Sequence, residues 1–111
     1  MLTIEKNKVF CNGHTFLFKY DVLEAELVGK YLLVVFHPNE PGCSEDNVYC
    51  FSLNQELIWR IGKPPETMGG VRLPYVGITI NSKNCGVVDM YGRRFIIDID
   101  TGAIIGIEWV K

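Results

Sequence analysis

The chain has 111 residues, of which 48% are hydrophobic and 22% charged, with a formal net charge of −2. That is one domain of ordinary globular composition, able to bury about two-thirds of its unfolded surface around a single core without disulfide or metal staples. The balance excludes disorder and argues against nucleic acid as a partner: phosphate-binding surfaces are usually basic, whereas the eleven Lys and Arg here are scattered, densest at Lys6 with Lys8 and at Arg93-Arg94.

Residues 1–10 alternate Leu2 and Ile4 with Glu5, Lys6 and Lys8 and carry no apolar leader core, so no signal peptide is expected. The longest apolar runs, near Tyr31–Phe36 and Ala103–Ile107, have strand length and are too short to span a bilayer. No membrane association is expected. Four cysteines (Cys11, Cys43, Cys50, Cys85) without a secretory signal predict reduced thiols and a cytoplasmic location.

Along the chain the hydrophobic period is two, with β-branched and aromatic enrichment. Leu2–Glu5 and Val9–Asn12 flank a turn at Lys6-Asn7-Lys8, and Thr15–Asp21 follows the Asn12-Gly13 turn, a dipeptide suited to positive φ. The segment Tyr20–Val28 admits a helix, but Glu24 and Glu26 alternate with Ala25 and Leu27, which favours a strand over Glu24–Val28. Gly29-Lys30 leads to Tyr31–His37, and a polar loop, Pro38–Asp46, follows. Val48–Leu53 turns at Asn54-Gln55 into Leu57–Ile61, and a second long loop, Gly62–Pro74, is long enough to carry the chain to another sheet. Tyr75–Asn81, Gly86–Met90, Phe95–Ile99 and Ile104–Trp109 complete the series, separated by turns at Ser82–Asn84, Tyr91-Gly92 and Asp100-Thr101-Gly102. Such short connections predict an antiparallel meander of 10–11 strands.

The chain also repeats itself. Tyr49, Phe51 and Leu53 match Phe95, Ile97 and Ile99 at an offset of 46, and Leu57 and Ile58 match Ile104 and Ile105 at 47. Two four-stranded units result, 24–62 and 75–111, behind an N-terminal hairpin region, 1–21, all within a single domain. A period near 45 residues with four short strands is that of a propeller blade. The run from Val48 to Trp59, an aromatic strand entering a polar turn and then a strand ending in Trp, resembles the quinoprotein-type (PQQ-like) β-propeller blade repeat, and Phe95–Ile105 is similar. It also resembles small bacterial proteins built only of such strands. Unit two departs from the pattern with Gly106 where unit one has Trp59. The resemblance implies blade-like sheets but no quinone site, because two units cannot close a propeller and its central channel. No cofactor is therefore expected. The apolar faces, Leu57, Trp59 and Ile61 with Tyr49, Phe51 and Leu53 in one unit, and Phe95, Ile97 and Ile99 with Ile105, Ile107 and Trp109 in the other, predict two sheets packed as a sandwich or flattened barrel. The N-terminal hairpin is expected to extend one sheet or plug an open end.

Several residue patterns suggest chemistry, and each has a structural reading that serves better. Asp100-Thr101-Gly102-Ala103 resembles the aspartic-protease motif, but only nine residues follow Gly102, too few for a substrate cleft, and Asp and Gly at these positions suit a tight turn. The cysteines lack a close pair, and His14 and His37 sit in different hairpins, so no metal site is expected; the ligand-rich loop of His37, Glu40, Cys43, Glu45 and Asp46 reads as solvated. A nucleophilic Cys–His pair of Cys50 or Cys85 with His37 has little support, because Cys50 alternates with Tyr49 and Phe51 inside a strand and buried inert thiols are the commoner outcome, and Gly69-Gly70 with Arg72 lacks the helix N-terminus that a phosphate loop needs.

No catalytic set assembles, so the leading expectation is a non-catalytic binding or protein-interaction domain. Its binding residues are expected in the two long loops, at Glu40, Glu45, Asp46, Lys63 and Arg72. By analogy with small acidic bacterial proteins, toxin neutralisation or a phage-associated accessory role fits this reading. The expected partner is a protein or a second copy of the chain. The alternative is a small enzyme or ligand-binding β-barrel with a pocket near Asp21, Asp89, Asp98 and Arg94.

Overall fold

The eleven strands of the computed structural model, which describes residues 2–39, 46–63, 73–82 and 84–109, form three antiparallel meanders. The first sheet holds β1 (Leu2–Glu5), β2 (Lys8–Cys11) and β3 (His14–Leu17). The middle sheet holds β4 (Val22–Val28), β5 (Tyr31–Phe36), β6 (Val48–Ser52) and β7 (Leu57–Arg60), in that order. The last sheet holds β8 (Tyr75–Ile80), β9 (Cys85–Asp89), β10 (Arg93–Ile97) and β11 (Ile104–Trp109), also in chain order. No helix occurs among the described residues, so none is long and apolar enough to cross a membrane.

The sheets stack face to face and do not close into a barrel. The N-terminal region is a three-stranded meander and neither extends a sheet nor plugs an end. It covers one face of the middle sheet, where Val9, Cys11, Phe16 and Phe18 meet Val22, Ala25, Leu32, Val34 and Phe36. The other face of the middle sheet packs Leu33, Val35, Val48, Cys50 and Trp59 against Tyr75, Cys85, Val87, Phe95 and Ile97 of the last sheet. Strand β5 therefore lies between two cores, and its residues 32–36 are all buried.

Two expected faces differ. Tyr49 and Phe51 do not share a face with Trp59 and Ile61: they turn toward the first sheet, while Cys50 pairs with Trp59 on the opposite side. Leu57, placed beside a bulge in the β6–β7 register, is 56% exposed. In β11 a second bulge turns Ile105 out to 63% exposure and gives the core position to Ile104. The Trp109 side chain lies outside the described residues.

The offset of 46 nonetheless has a structural meaning. Tyr49 and Phe51 in β6 face the preceding sheet, as Phe95 and Ile97 in β10 do. By the same alternation Arg94 faces where a following sheet would lie. It lies flat over Gly86, where a Cβ would come within 2.6 Å of its guanidinium. Arg94 Nε donates to Thr79 Oγ1, Nη2 to the Thr79 carbonyl at 2.9 Å, and Nη1 to Glu108 Oε1 at 2.7 Å. The outward face of the first sheet shows exposed Thr3, Glu5, Lys8 and Thr15, beside Leu17, which is also exposed. Both ends of the stack thus carry polar groups, as terminal repeats of stacked proteins do.

The open edges are blunted as well. In the two four-stranded sheets a register shift falls on each pairing that involves an edge strand, at β4, β7, β8 and β11, and on neither inner pairing. The Glu24 carboxylate accepts the Ile78 N–H of β8; burial raises its pKa, partly offset by that bond, while Glu26 raises it further. The Gln55 side chain donates to the Leu17 carbonyl of edge strand β3 and accepts its N–H at 3.2 Å. Bulges and side-chain plugs of this kind oppose sheet extension between chains.

Candidate functional site

The two long loops leave the framework at places tied together by Asn47. Its side chain is fully buried and reaches out of the β5–β6 connection to both sheets. Nδ2 donates to the Phe36 carbonyl and the Tyr75 carbonyl, each at 2.8 Å, and Oδ1 accepts the Tyr75 N–H at 2.9 Å. Phe36 and Asn47 bracket the first loop, and Tyr75 closes the second. The second loop departs beside the same strand end, where the Ile61 N–H donates to the Val48 carbonyl at 2.9 Å. Both stems are thus held in one region by an uncharged side chain whose amide matches backbone groups of two sheets.

A third element joins them. The β9–β10 turn is anchored to the second stem, since the Met90 N–H donates to the Pro74 carbonyl at 3.2 Å and Asp89 pairs with Tyr75 in register. Asp89 organises this turn from below. Its Oδ1 accepts the Tyr91 and Arg93 N–H groups, both at 3.0 Å, and its Oδ2 accepts Arg93 Nε at 2.8 Å. Both side chains of this pair are nearly inaccessible, so the charges are mutually compensated and hydrogen-bonded, the condition under which buried ions are tolerated. The Arg93 guanidinium sits 5.3 Å from the Phe95 ring and 5.9 Å from that of Tyr91. Above this rigid base stand Met90 and Tyr91, 63% and 70% exposed.

The residues singled out in the sequence distribute around this frame. Asp46 adopts φ +51° and its carbonyl accepts Arg60 Nε at 2.9 Å, with the Arg60 guanidinium 5.0 Å from the Tyr49 ring. Lys63 is exposed at the start of the second loop. Glu40, Glu45 and Arg72 lie outside the described residues, as do Cys43 and Gly69-Gly70. The Asp21 carbonyl accepts the His37 N–H at 3.0 Å at the first stem.

The four residues expected around a pocket do not come together. Asp89 is at one end of β10, bound to Arg93, and Asp98 follows the other end. Arg94 occupies the outward face of the last sheet. Asp98 closes the β10–β11 turn, its carbonyl accepting the Gly102 N–H at 2.8 Å and its Oδ1 the Asp100 N–H at 2.9 Å. The protease-like triplet is a docking turn. Tyr31 Oη donates to Asp100 at 2.9 Å, Trp59 Nε1 donates to the Ile99 carbonyl at 2.7 Å, and the indole lies where a Gly102 Cβ would be. Cys11, Cys50 and Cys85 are free and buried, and burial pushes the Cys50 thiol up to about 12, with Cys85 and then Asp100 adding to the shift. Among the described residues no three His, Cys, Asp or Glu side chains gather as a metal site would require.

Sequence reasoning missed Asn47, Met90 and Tyr91. Asn47 is one more polar residue at the end of a polar loop. Met90 and Tyr91 had a weak signal: two large apolar residues beside Gly92, in a turn where the surrounding strands leave no core for them.

The fold and this end of it define a small three-layer all-β domain with an anchored loop cluster. The chain belongs to the family described as "Domain of unknown function (DUF7957)", whose model matches residues 1–109. Among curated proteins and solved structures nothing matches it.

Proposed function

We propose that this domain is a non-catalytic protein-interaction module that engages its partner through the end where the Met90–Tyr91 tip stands beside the two loop stems. One observation carries this reading: two large, exposed side chains sit on a turn locked by the buried Asp89–Arg93 pair. Tyr and Met are enriched in protein interfaces, and a turn whose backbone is fixed before binding loses less freedom on docking. Loops on a rigid scaffold are the common location of binding residues, and here the scaffold brings both stems to the same place. The blunted strand edges direct partners to side chains and loops rather than to strand addition.

The test is site-specific photo-crosslinking in lysate, with p-benzoylphenylalanine at position 91 and, as control, at exposed Thr15 on the outward face of the first sheet. A discrete adduct at position 91 and none at position 15 is expected. Equal labelling at both positions, or none at either, contradicts the reading.

A further inference from the structure

We propose that the Asn12-Gly13 turn is a self-modification site: it deamidates to an isoaspartyl linkage, and this change unfastens the N-terminal layer from the middle sheet. The turn joins β2 to β3, in a different sheet from the Met90–Tyr91 tip, so the proposal does not rest on the protein-interaction reading. The chemistry is intramolecular. The Gly13 backbone nitrogen attacks Asn12 Cγ, the Cγ–Nδ2 bond breaks, and the amide nitrogen leaves as ammonia, carrying the proton that Gly13 gives up. Water then opens the cyclic imide at either carbonyl, which yields aspartate or isoaspartate. Water is the only co-reactant.

Three features concentrate this reaction at Asn12. First, Gly13 has no side chain to shield its nitrogen, and a Cβ built there would meet nothing within 4 Å. Second, Asn12, Gly13 and His14 are all exposed, and neither the Asn12 amide nor the Gly13 N–H makes a hydrogen bond among the described residues. Third, the other asparagines are held or shielded. Asn7 Nδ2 donates to the Phe18 carbonyl at 2.9 Å, Asn47 makes its three buried bonds, and Asn81 Oδ1 accepts the Asn84 N–H at 2.9 Å. Asn39, Asn54 and Asn84 precede Glu40, Gln55 and Cys85, each of which carries a Cβ beside the attacking nitrogen. The turn must open for the Gly13 nitrogen to reach Cγ, which ties the rate to fraying of this hairpin end.

The structural consequence follows from the loop length. Asn12 and Gly13 have φ +48° and +81°, the pattern of the type I′ turn that suits a two-residue loop closed by the Cys11–His14 pair. An isoaspartyl linkage carries the main chain through Cβ and Cγ and lengthens that loop by one atom. The turn then no longer fits, and the β2–β3 register that sets Val9, Cys11 and Phe16 against the middle sheet is lost. The ordinary aspartyl product keeps the loop, since Asp-Gly also suits this turn.

The test is incubation of the purified chain at mildly alkaline pH, followed by peptide mapping with fragmentation that separates aspartate from isoaspartate, and by urea unfolding. Isoaspartate should accumulate at position 12 before any other asparagine reacts. The deamidated fraction, separated by its extra negative charge, should have a urea midpoint lower by about 1 M. Asn12→Asp, which has the same charge and an ordinary linkage, should unfold close to wild type before incubation. Asn12→Gly, which keeps the turn and removes the amide, should hold its midpoint through the same incubation. Another asparagine reacting first, no isoaspartate at position 12, or an isoaspartyl form with the midpoint of the unreacted chain would overturn the proposal.

Discussion

Three backbone groups depend on the Asn47 side chain: two carbonyls that receive its N–H donors and one N–H that its oxygen accepts. Asn47→Ala leaves all three buried groups without that partner, and we expect a loss of about 3–5 kcal/mol in urea unfolding. Asn47→Asp keeps the acceptor but sets a carboxylate oxygen against two carbonyls, so it should be no more stable than the alanine variant; a loss below about 1 kcal/mol in either would contradict this role. Gly102 answers to a different constraint. It combines φ +78° with the Trp59 indole in the space of its missing side chain, so Gly102→Ala should cost about 2–4 kcal/mol by the same measurement. Cys50 gives the pH dependence. The ordinary thiol pKa is 9.0 and the folded value about 12, chiefly through burial, so the folded chain keeps a proton that the unfolded chain releases. The stability from this group is fully present below about pH 9 and is lost as pH rises toward 12. Urea midpoints should fall between pH 8 and pH 10.5, and less steeply for Cys50→Ala; parallel pH profiles for the two proteins would contradict the assignment.

Strand by strand, most of the order was legible in the sequence, because Asn-Gly, Gly-Lys and Asp-Thr-Gly turns punctuate segments rich in β-branched and aromatic residues. What the pattern could not convey was which way the strands face. Leu32 to Phe36 are uniformly apolar because β5 is buried on both sides, so alternation carries no information there. The bulges at Leu57 and Ile105 invert the parity that a regular strand would have, and a one-residue shift moves side chains to the other face. The same blindness hid the N-terminal layer. Its three strands were readable, but their role as the lid over Leu32, Val34, Phe36, Tyr49 and Phe51 follows only from the second apolar face of the middle sheet. Removing residues 2–21 should therefore expose that face and abolish cooperative unfolding by circular dichroism. A truncated chain that remains monomeric and unfolds cooperatively would contradict this account of the layer. The candidate site was legible only in part: the two loops were identified, whereas their common anchor at Asn47 depends on contacts between residues 28 positions apart.

At the scale of the molecule, the stack ends after three layers because each outward face carries polar groups. Arg94 over Gly86 is the clearest example, and replacing it with Val should uncover Gly86, Val88 and Ile96 on a flat face. Arg94→Val should then sediment faster than wild type at matched concentration, as expected when an apolar sheet face is left open, and an unchanged sedimentation coefficient would remove this explanation. The proposed recognition surface is the loop-bearing end, and that is the central claim. Quantitative mass spectrometry of proteins retained from lysate by immobilised wild type and by the Met90→Ser/Tyr91→Ser variant tests it most directly. Both residues are exposed, so the variant should unfold within about 0.5 kcal/mol of wild type. The account predicts a stoichiometric partner on wild type that is lost from the variant; the same partner retained equally by both would contradict it.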